Sequence, residues 1–584
     1  MERGSITKWL ILGLAVFAFM TLGKQFFGSP KTSEVQFAGL LDHKTPPAET
    51  RAPEQTCTVE GPRFRAVLST HGASLRQFTL TDQRFDIDKK PMNLVTTSRE
   101  WRMPLRTNLR SSSIDAARAQ VAYDDLDWKL AEANGKSCTF TFTDPTTALT
   151  KRVSATDKAF ELSVELDVKN LGPEPKKHRF TIEQDAYHAK KSVEGGFLQA
   201  QSPLVSETLA VSSTKVERQA PSDFEPGEMK KPEFTPEHWR RTPGDGKVAA
   251  VNTVYFTQLV SAQAGEGAPA AETLIEHWWE SARYPNKEDD PNLGYLFRAR
   301  LTYPERELAP GQTASYKALA FAGPKERDSL AAIGNGATEV LNLGMFTTIA
   351  RALVWYLYKL YGFTASWGWA IVLLTITVRM LLFPLSISQI KSSMAMRRLK
   401  PEMDAINEKY KDDAAQRGLA IQELWRKNGV SNPVVGCLPL LLQMPVWWAL
   451  YTALQTAVEL YHVRFMWFAD LTAPDKFFII PIVLGATSFV QQKLMPAQGD
   501  PQQQKMMLYM MPGIFTFMML FLPAGLGVYM LTNSVLAIVQ QLLVEKYLRG
   551  HAAPAGQIEV KVRETTTGGD EKPALGKGKS RGRG

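Results

Sequence analysis

The stretch WGWAIVLLTITVRMLLFPL, residues 367–385, decides the fold class of this chain. At about 1.5 Å per helical residue it is long enough to cross a bilayer, yet it contains one cation, Arg379. A cation near the middle of a spanning helix costs roughly 2.5–3.5 kcal/mol on insertion scales. The interiors of the other apolar runs offer no Asp or Glu as its partner. We therefore predict that Arg379 faces a protein-lined space that holds water.

Five further apolar runs accompany this stretch. One lies near the N-terminus, and it continues past Lys24 without a clear cleavage site, which favours a retained anchor over a signal peptide. The six runs together predict a polytopic α-helical membrane protein of six transmembrane helices, with a five-helix core. The five further runs are residues 6–27, 434–457, 477–494, 505–522 and 525–545.

Basic residues concentrate in the loop 387–433 and in the tail after residue 545, whereas the loop 458–476 holds only Arg464 and Lys476. Because basic loops stay in the cytoplasm, both termini are predicted inside the cell and the polar region outside, in a periplasm-like space. This topology signal explains most of the charge of the two basic segments. Their position beside the membrane is compatible with anionic lipids or ribosomal RNA as partners, and we expect no DNA partner.

The mean hydropathy of −0.19 averages two unlike regions, because residues 28–340 are polar and residues 341–548 are apolar. Short runs of alternating apolar and polar residues in the polar region predict an all-β sandwich. The expected division is an N-terminal transmembrane anchor at 1–28, a linker at 29–60, a periplasmic β-sandwich domain at 61–340, an interfacial amphipathic helix at 341–362, a membrane core at 363–548 with a cytoplasmic helical hairpin at about 388–430, and a disordered basic tail at 549–584. The alternative for 341–362 is one more buried helix of the sandwich.

Two local patterns refine the apolar half. Asp413 is a candidate N-cap for the second helix of the hairpin. Methionines concentrate in the run 505–522, and such flexible side chains suit the binding of many different apolar sequences. Ordinary lipid-facing or core packing is the simpler explanation for these methionines.

The sequence argues against catalytic chemistry. Its three cysteines, Cys57, Cys138 and Cys437, form no C-x-x-C pair, and no H-E-x-x-H, G-x-S-x-G or phosphate-loop motif is present. We expect a protein that is not an enzyme and that needs no cofactor and no metal. Cys57 and Cys138 would pair only in an oxidising compartment, and their spacing leaves that open.

Polar residues at helical spacing accompany Arg379 inside the apolar runs. Thr375 lies one turn before it, and Tyr529 and Asn533 lie one turn apart in the last run. Gln443 interrupts the run that follows the hairpin. These side chains would converge if the helices packed around a hydrophilic cavity. The alternative is that they form the interhelical hydrogen bonds common in membrane helix bundles.

Short motifs of the apolar half, in their order along the chain, resemble those of the YidC-type membrane protein insertases of Gram-negative bacteria. The resemblance covers about 345–547, whereas the polar region fits that family only in position and β character. The motifs are WGWAI at 367–371, VR at 378–379, PL at 384–385, NP at 432–433, GC at 436–437, PL at 439–440, QMP at 443–445, QQK at 491–493, MP at 511–512 and YMLTN at 529–533.

The resemblance implies a hydrophilic groove that is open to the cytoplasm and to lipid but closed on the outer side. Arg379 would be its cation, with Thr375 and Tyr529 among the lining residues. Some members carry two tyrosines where this chain has Val528 and Tyr529, which implies a thinner aromatic contact. Implied partners are nascent membrane proteins, the ribosome and the Sec translocon, and the implied location is the bacterial inner membrane.

Three functions use such a cavity differently. An insertase would lower the barrier for a polar segment that enters the membrane, without covalent chemistry. A pore or transporter would use the cavity as a permeation path, although its spans lack the carboxylates and histidines that proton coupling normally needs. An assembly chaperone would bind finished spans.

Overall fold

The computed structural model describes most of the chain from residue 51 to residue 550. The predicted anchor 1–28, most of the linker 29–60 and nearly all of the tail 549–584 lie outside the described residues. The described ranges are 51–98, 100–109, 127–188, 207–224, 239–263, 265, 267–278, 294–344, 346–411, 413–428, 438–494 and 501–550.

The polar half is built from β-strands, as predicted. Strands with alternating burial, such as Thr147–Ala155, place every second side chain in the core. The strands β1 to β19 are Thr56–Gly61, Phe64–Ser69, Ser74–Leu80, Thr107–Leu109, Lys129–Ala133, Ser137–Thr143, Thr147–Ala155, Glu161–Asn170, Lys176–His178, Phe180–His188, Glu207–Ser212, Val216–Gln219, Arg240–Arg241, Gly246–Asn252, Phe256–Ala262, Ala270–Trp278, Gly294–Thr302, Arg306–Leu308 and Thr313–Pro324.

Two large antiparallel sheets form a sandwich. One has nine strands in the order β12-β11-β14-β15-β19-β8-β7-β6-β5, and the other has five in the order β13-β16-β17-β10-β4. Strands β14 and β15 of the first sheet pack against β10 and β17 of the second. A three-stranded sheet, β1-β2-β3, packs beside β6 and β7. Every residue of β17 is buried, so this strand lies in the middle of the domain.

Two findings complete the account of this domain. The first strand begins at Thr56, inside the predicted linker, because the alternating pattern TCTVEG already pairs with β2. Cys57 and Cys138 form a disulfide bond that joins β1 to β6, with their Cα atoms 6.1 Å apart. The sequence left this pairing open, since 81 residues separate the two cysteines.

The apolar half is built mainly from helices, whereas its described segment 461–478 consists of turns, bends and one isolated β-bridge. Asp413 caps the second hairpin helix as predicted, because its carboxylate accepts hydrogen bonds from the main-chain N–H groups of Ala415 and Gln416 at 3.0 and 2.9 Å. The helices α1 to α9 are Arg327–Ile333, Thr347–Thr364, Trp367–Leu381, Phe383–Lys409, Ala414–Lys427, Leu438–Thr456, Ile479–Leu494, Pro501–Met519 and Ala524–Gly550.

The predicted span 367–385 is divided in the structure. Helix α3 ends at Leu381 and α4 begins at Phe383, so the first hairpin helix continues almost directly from the span. Pro384 stands in the first turn of α4, where its missing N–H and fixed φ start a helix well. Arg379 therefore lies in the last turn of α3 rather than at mid-helix.

One described stretch, Ala524–Leu548, is both long and apolar enough to cross a membrane. Three shorter apolar helices are Trp367–Leu381, Ile479–Leu494 and Met506–Met519. The six transmembrane helices thus stay a prediction. Helix α2 starts later than the predicted 341–362 and is amphipathic, since Leu357 is buried and Trp355 is 52% exposed.

The two halves are in direct contact. The segment between α6 and α7 inserts Tyr461 against Phe85, Tyr255 and Phe256 of the sandwich, with ring centroids 6.1, 5.2 and 5.8 Å away. His462 Nδ1 lies 2.9 Å from the main-chain oxygen of Arg84. The sandwich is therefore docked onto the helical half rather than only tethered to it.

Candidate functional site

Arg379 is half-buried between α3 and α9. Its Nε donates to the side-chain oxygen of Asn533 at 2.7 Å, and its Nη2 donates to the main-chain oxygen of the same residue at 3.1 Å. Within the described ranges no carboxylate forms an ion pair with this guanidinium. The sequence prediction that Arg379 lacks an acidic partner therefore agrees with the structure in this part of the chain, and a neutral amide takes the carboxylate's place.

A cavity of about 600 Å³ opens beside Arg379, between the end of α3, the start of α4 and the C-terminal half of α9. Its wall is mostly apolar and carries two cations, Arg379 and Lys391. Within the described residues the Nε2 of Gln540, another wall residue, is buried without a hydrogen-bond partner. The wall consists of Ile376, Arg379, Met380, Phe383, Ile387, Lys391, Leu536, Val539, Gln540, Leu543, Val544, Tyr547 and Leu548.

Thr375 and Tyr529 lie next to the cavity but outside the wall that the described residues form. Thr375 is 1% exposed, and its hydroxyl donates to the main-chain oxygen of Ile371 at 2.7 Å. Tyr529 is 3% exposed, one turn before Asn533. The structure thus brings Arg379 and Asn533 together and places the other two in the packed layer behind them.

Gln443 lies in α6, but its side chain is outside the described part of the chain. Sequence reasoning missed Lys391 and Tyr547 as wall residues. The sequence does contain a signal for Tyr547, because Asn533, Gln540 and Tyr547 are spaced by seven residues and so share one face of α9. Lys391 is found only once the break before α4 is known.

A second polar contact ties the hairpin to the core near this cavity. Arg397 of α4 donates to the buried carboxylate of Glu545 in α9 at 3.1 Å. Gln541 donates to the same carboxylate at 3.1 Å and to the main-chain oxygen of Leu494 at 2.7 Å. Helices α4, α7 and α9 are therefore held together just beyond the cavity.

The described residues contain no group of three or more His, Cys, Asp or Glu side chains arranged to hold a metal ion. The arrangement around Arg379 also lacks a nucleophile with an adjacent base, as far as the structure describes it. It offers positive charge, an unpartnered amide and an apolar wall. Such a site is suited to non-covalent contact with a chain that has both polar and apolar parts.

These features define a class of protein: helical membrane proteins that carry a large β-sandwich outside the membrane. The family model described as 60Kd inner membrane protein matches residues 359–551, and the model described as YidC periplasmic domain matches residues 56–356. The membrane protein insertase YidC of Anaeromyxobacter dehalogenans (strain 2CP-C) is 34% identical over 515 residues, which cover 86% of this chain and 87% of that protein. The chain therefore belongs to the YidC family, and its sandwich is the periplasmic domain of that family.

Other relatives match part of the chain. The membrane protein insertase YidC of Cupriavidus taiwanensis is 40% identical over 291 residues, which cover 48% of this chain and 51% of that protein. A crystal structure of an active YidC insertase is 18% identical, with a TM-score of 0.34 over 84% of this chain and 92% of that one. A putative aldose 1-epimerase from Escherichia coli K12 is 11% identical, with a TM-score of 0.31 over 47% of this chain. Both TM-scores are too low to carry an argument.

Proposed function

We propose that this protein is a membrane protein insertase of the bacterial inner membrane, which inserts newly made membrane proteins and helps them fold. Its relatives bear the name membrane protein insertase, and they cover most of the chain. The observation that carries the mechanism is the Arg379 guanidinium, held only by Asn533 on the wall of an apolar cavity. The work is non-covalent and needs neither cofactor nor metal.

The physical role of Arg379 is to lower the cost of a polar segment inside the membrane. Polar groups that leave water without a partner cost several kcal/mol, and an acidic group costs more. A guanidinium engaged only by a neutral amide still has donors and full charge to offer. In this proposal the half-way site is the positively charged, polar part of the cavity at Arg379, with Gln540 as a further polar contact and Thr375, Tyr529 and Gln443 supporting it.

The apolar wall performs the second half of the task. Leu536, Val539 and Leu543 offer a surface to which an apolar client segment can bind before it passes into lipid. Exposed methionines of α8 lie on the helix before α9 and can adapt to different client sequences. They are Met507, Met510, Met511 and Met518.

The topology in this proposal is that of the sequence analysis. Six spans cross the membrane, both termini are cytoplasmic, and the sandwich lies in the periplasm. The hairpin of α4 and α5, together with the basic tail, would contact the ribosome and anionic lipids, and the Sec translocon would deliver some of the clients. The Arg397–Glu545 contact supports a hairpin held close to the cavity.

The central test is complementation of a cell depleted of its own YidC with Arg379→Ala and Arg379→Lys. Loss of a contact between a charged donor and a buried acceptor costs about 1.5–3 kcal/mol, so insertion of a client with an acidic translocated segment should slow about tenfold to 100-fold. Arg379→Lys should retain part of the rate. Arg464→Ala, an exposed arginine of the helical half outside the cavity wall, is the matched control.

Site-specific photocrosslinking tests where a stalled nascent chain lies. A probe at Leu536, on the cavity wall, should capture the client, whereas a probe at the neighbouring Val535, 43% exposed on the outer face of α9, should not. Probes at Thr375 and Tyr529 should capture it less well because both residues are buried. Full activity of Arg379→Ala on every client, with equal crosslinking at Leu536 and Val535, contradicts the proposal.

The alternative of a pore or transporter predicts a different result. Proteoliposomes would then show ion conductance or solute uptake without insertion of a test protein. The apolar wall of the cavity disfavours such a path, because ions need a continuous row of polar groups. An assembly chaperone without insertase activity would still crosslink at Leu536 but would leave insertion rates unchanged when Arg379 is replaced.

A further inference from the structure

A second cavity, of about 180 Å³, lies where the sandwich meets the helical half. Its walls come from the segment after β19, from α2 and from the end of α6. The wall residues are Lys325, Arg327, Thr338, Leu341, Leu343, Arg351, Val354, Tyr358, Ala453, Thr456, Ala457 and Glu459. None of the residues assigned to the insertion groove takes part in it.

Lys325 is the central residue of this cavity. It is 4% exposed, and its main-chain N–H donates to the oxygen of Tyr255 at 2.8 Å, which places it firmly at the end of β19. Among the described residues its ammonium makes no hydrogen bond and no ion pair. The nearby carboxylate of Glu207 is engaged by Arg218 at 2.5 Å. Burial lowers the pKa of Lys325 to about 8, with Arg218 adding to the effect and Glu207 opposing it.

A buried cation without a counter-charge is costly, and proteins usually keep one only for a ligand or a partner. The other charges around the cavity leave it positive. Arg327 is half-buried, and Arg351 is exposed and paired with Glu339 at 2.8 Å. Glu459 is the one acidic wall residue. It accepts a hydrogen bond from the hydroxyl of Tyr358, and burial raises the pKa of its carboxyl, which weakens its negative charge.

We propose that this cavity binds a phosphate group, with Lys325 as the buried cation and with Arg327 and Arg351 at the rim. The wall carries three cations and one hydrogen-bonded carboxyl, and Glu339, outside the wall, balances Arg351. Lys325 and Arg327 therefore supply the positive charge, which suits a phosphate better than a single carboxylate. The phosphate has two sources with the same chemistry: the headgroup of a phospholipid, or a free phosphate ion.

The surroundings of the cavity favour the phospholipid. Helix α2 exposes Trp355, Tyr361 and Phe363, and aromatic residues of this kind concentrate at the level of lipid headgroups. Apolar wall residues such as Leu343 and Val354 would contact the glycerol and the first acyl carbons. Binding of a phospholipid rests on the proposed function, because it requires α2 to lie at the membrane surface. Binding of free phosphate does not require this, so the phosphate site and the proposed function can fail separately.

The first arm of the test measures thermal unfolding of the full-length protein in detergent, with inorganic phosphate titrated at constant ionic strength. A ligand that binds only the folded state raises the melting temperature in proportion to its occupancy. Wild-type protein should be stabilised, and Lys325→Met should show at least a tenfold weaker apparent affinity. Lys317→Met is the matched control, because Lys317 lies on β19 but is exposed and paired with Glu165 at 2.8 Å.

The second arm uses native mass spectrometry of the protein exchanged into phosphatidylglycerol or into diacylglycerol with the same acyl chains. Retention of phosphatidylglycerol by wild-type and Lys317→Met protein, and its loss from Lys325→Met, supports the lipid source. Phosphate stabilisation that depends on Lys325, without retained lipid, supports the free ion.

Two results overturn the proposal. One is equal behaviour of wild type and Lys325→Met in both arms, and the other is stabilisation by acetate equal to that by phosphate. Lys325→Met should fold, since it replaces an unpaired buried ammonium by an apolar chain of similar size. If it does not, Arg351→Gln at the exposed rim serves instead. A threefold or greater loss of phosphate affinity then supports the site, and an unchanged affinity rejects it.

Discussion

Arg298 and Arg300 are buried in the sandwich, Arg379 is half-buried in the helical half, and their surroundings differ. In the sandwich, Arg298 is bound by Glu183 at 2.7 Å and by Asp185 at 3.2 Å, and Arg300 by Glu272 at 2.7 Å. In the helical half, Arg379 is bound by an amide alone. A buried guanidinium that only supports the fold is balanced by carboxylates, because its desolvation is otherwise too costly. Arg379, which no carboxylate balances among the described residues, is therefore the arginine that we propose for contact with a client.

The largest expected effect is a difference in stability between variants of Arg298 and of Arg379. Arg298→Met removes the ion-pair partner of the buried Asp185 and the nearer of the two arginines paired with Glu183, because only Arg300 remains, 3.6 Å from that carboxylate. Such a loss costs about 3–5 kcal/mol of unfolding free energy. Arg379→Met removes two hydrogen bonds of a charged donor, both to Asn533, so it should cost about 1.5–3 kcal/mol, less than Arg298→Met. Chemical unfolding of the full-length protein, followed by the fluorescence of its tryptophans, measures both.

The comparison is broken if Arg379→Met destabilises the protein as much as Arg298→Met does. Arg379 would then be a structural residue, and any insertion defect of its variants would follow from misfolding. Arg298→Lys is the control, since it retains a positive charge between the two carboxylates.

The second-largest effect concerns the disulfide bond of the sandwich. Removing the Cys57–Cys138 disulfide with Cys138→Ala should cost about 2–5 kcal/mol, because the unfolded chain is no longer closed across 81 residues. Thermal unfolding with and without reductant measures the cost. Cys437→Ala, which removes the third cysteine, should leave the melting temperature unchanged. A reductant-insensitive sandwich contradicts the expectation.

A smaller effect comes from a buried histidine of the sandwich. Burial lowers the pKa of His178 to about 4, with help from Arg306 and Lys176, and its Nε2 lies 2.8 Å from the hydroxyl oxygen of Tyr316. The unfolded chain binds the proton near pH 6.5, so the contribution of His178 to stability is complete above that pH and is lost as the pH falls towards 4.

Melting temperatures between pH 7.5 and pH 4 measure this effect. His178→Gln, which keeps a hydrogen-bonding side chain, should flatten the acid side of the profile. His462→Gln is the matched control, because that side chain is 40% exposed at the junction of the two halves. An acid profile that His178→Gln leaves unaltered would show that the sandwich tolerates charge at this position.

The smallest effect lies in the hairpin, outside both packed cores. Asp413→Ala removes the cap of α5 and should cost about 1 kcal/mol of local helix stability. Hydrogen exchange of residues 414–427, followed by mass spectrometry, should quicken about fivefold at that cost. Asp404→Ala, an exposed position on α4, should not change it. Unchanged exchange in both variants would mean that tertiary contacts, rather than the cap, hold α5.

The sequence predicted the parts of this molecule that local patterns control. Alternating runs predicted the sandwich, and Asp413 was recognised as a cap because N-cap chemistry is local. The lack of a carboxylate near Arg379 followed from the composition of the apolar runs. The pairing of Cys57 with Cys138 did not, since it depends on which strands become neighbours across 81 residues.

At the cavity, too, the sequence predicted local features but not the contacts between elements. Thr375 was predicted to line it from helical spacing and from the family resemblance, but a threonine hydroxyl can bond the main chain of its own helix, and here it does. Lys391 reaches the wall from α4, which begins at Phe383 with one residue between it and the end of α3. Pro384 signalled a helix start, yet its effect on direction depends on what α4 packs against.

The contact of Tyr461 with the sandwich has a consequence for how the chain is made. His462 touches a residue 378 positions earlier, and Phe256, which also packs on Tyr461, leaves the ribosome about 200 residues sooner. At roughly 5–20 residues per second, that gap lasts roughly 10–40 s. The aromatic patch of Phe85 and Phe256 is uncovered during this interval. The sandwich thus reaches its final form only after most of the membrane half has been synthesised.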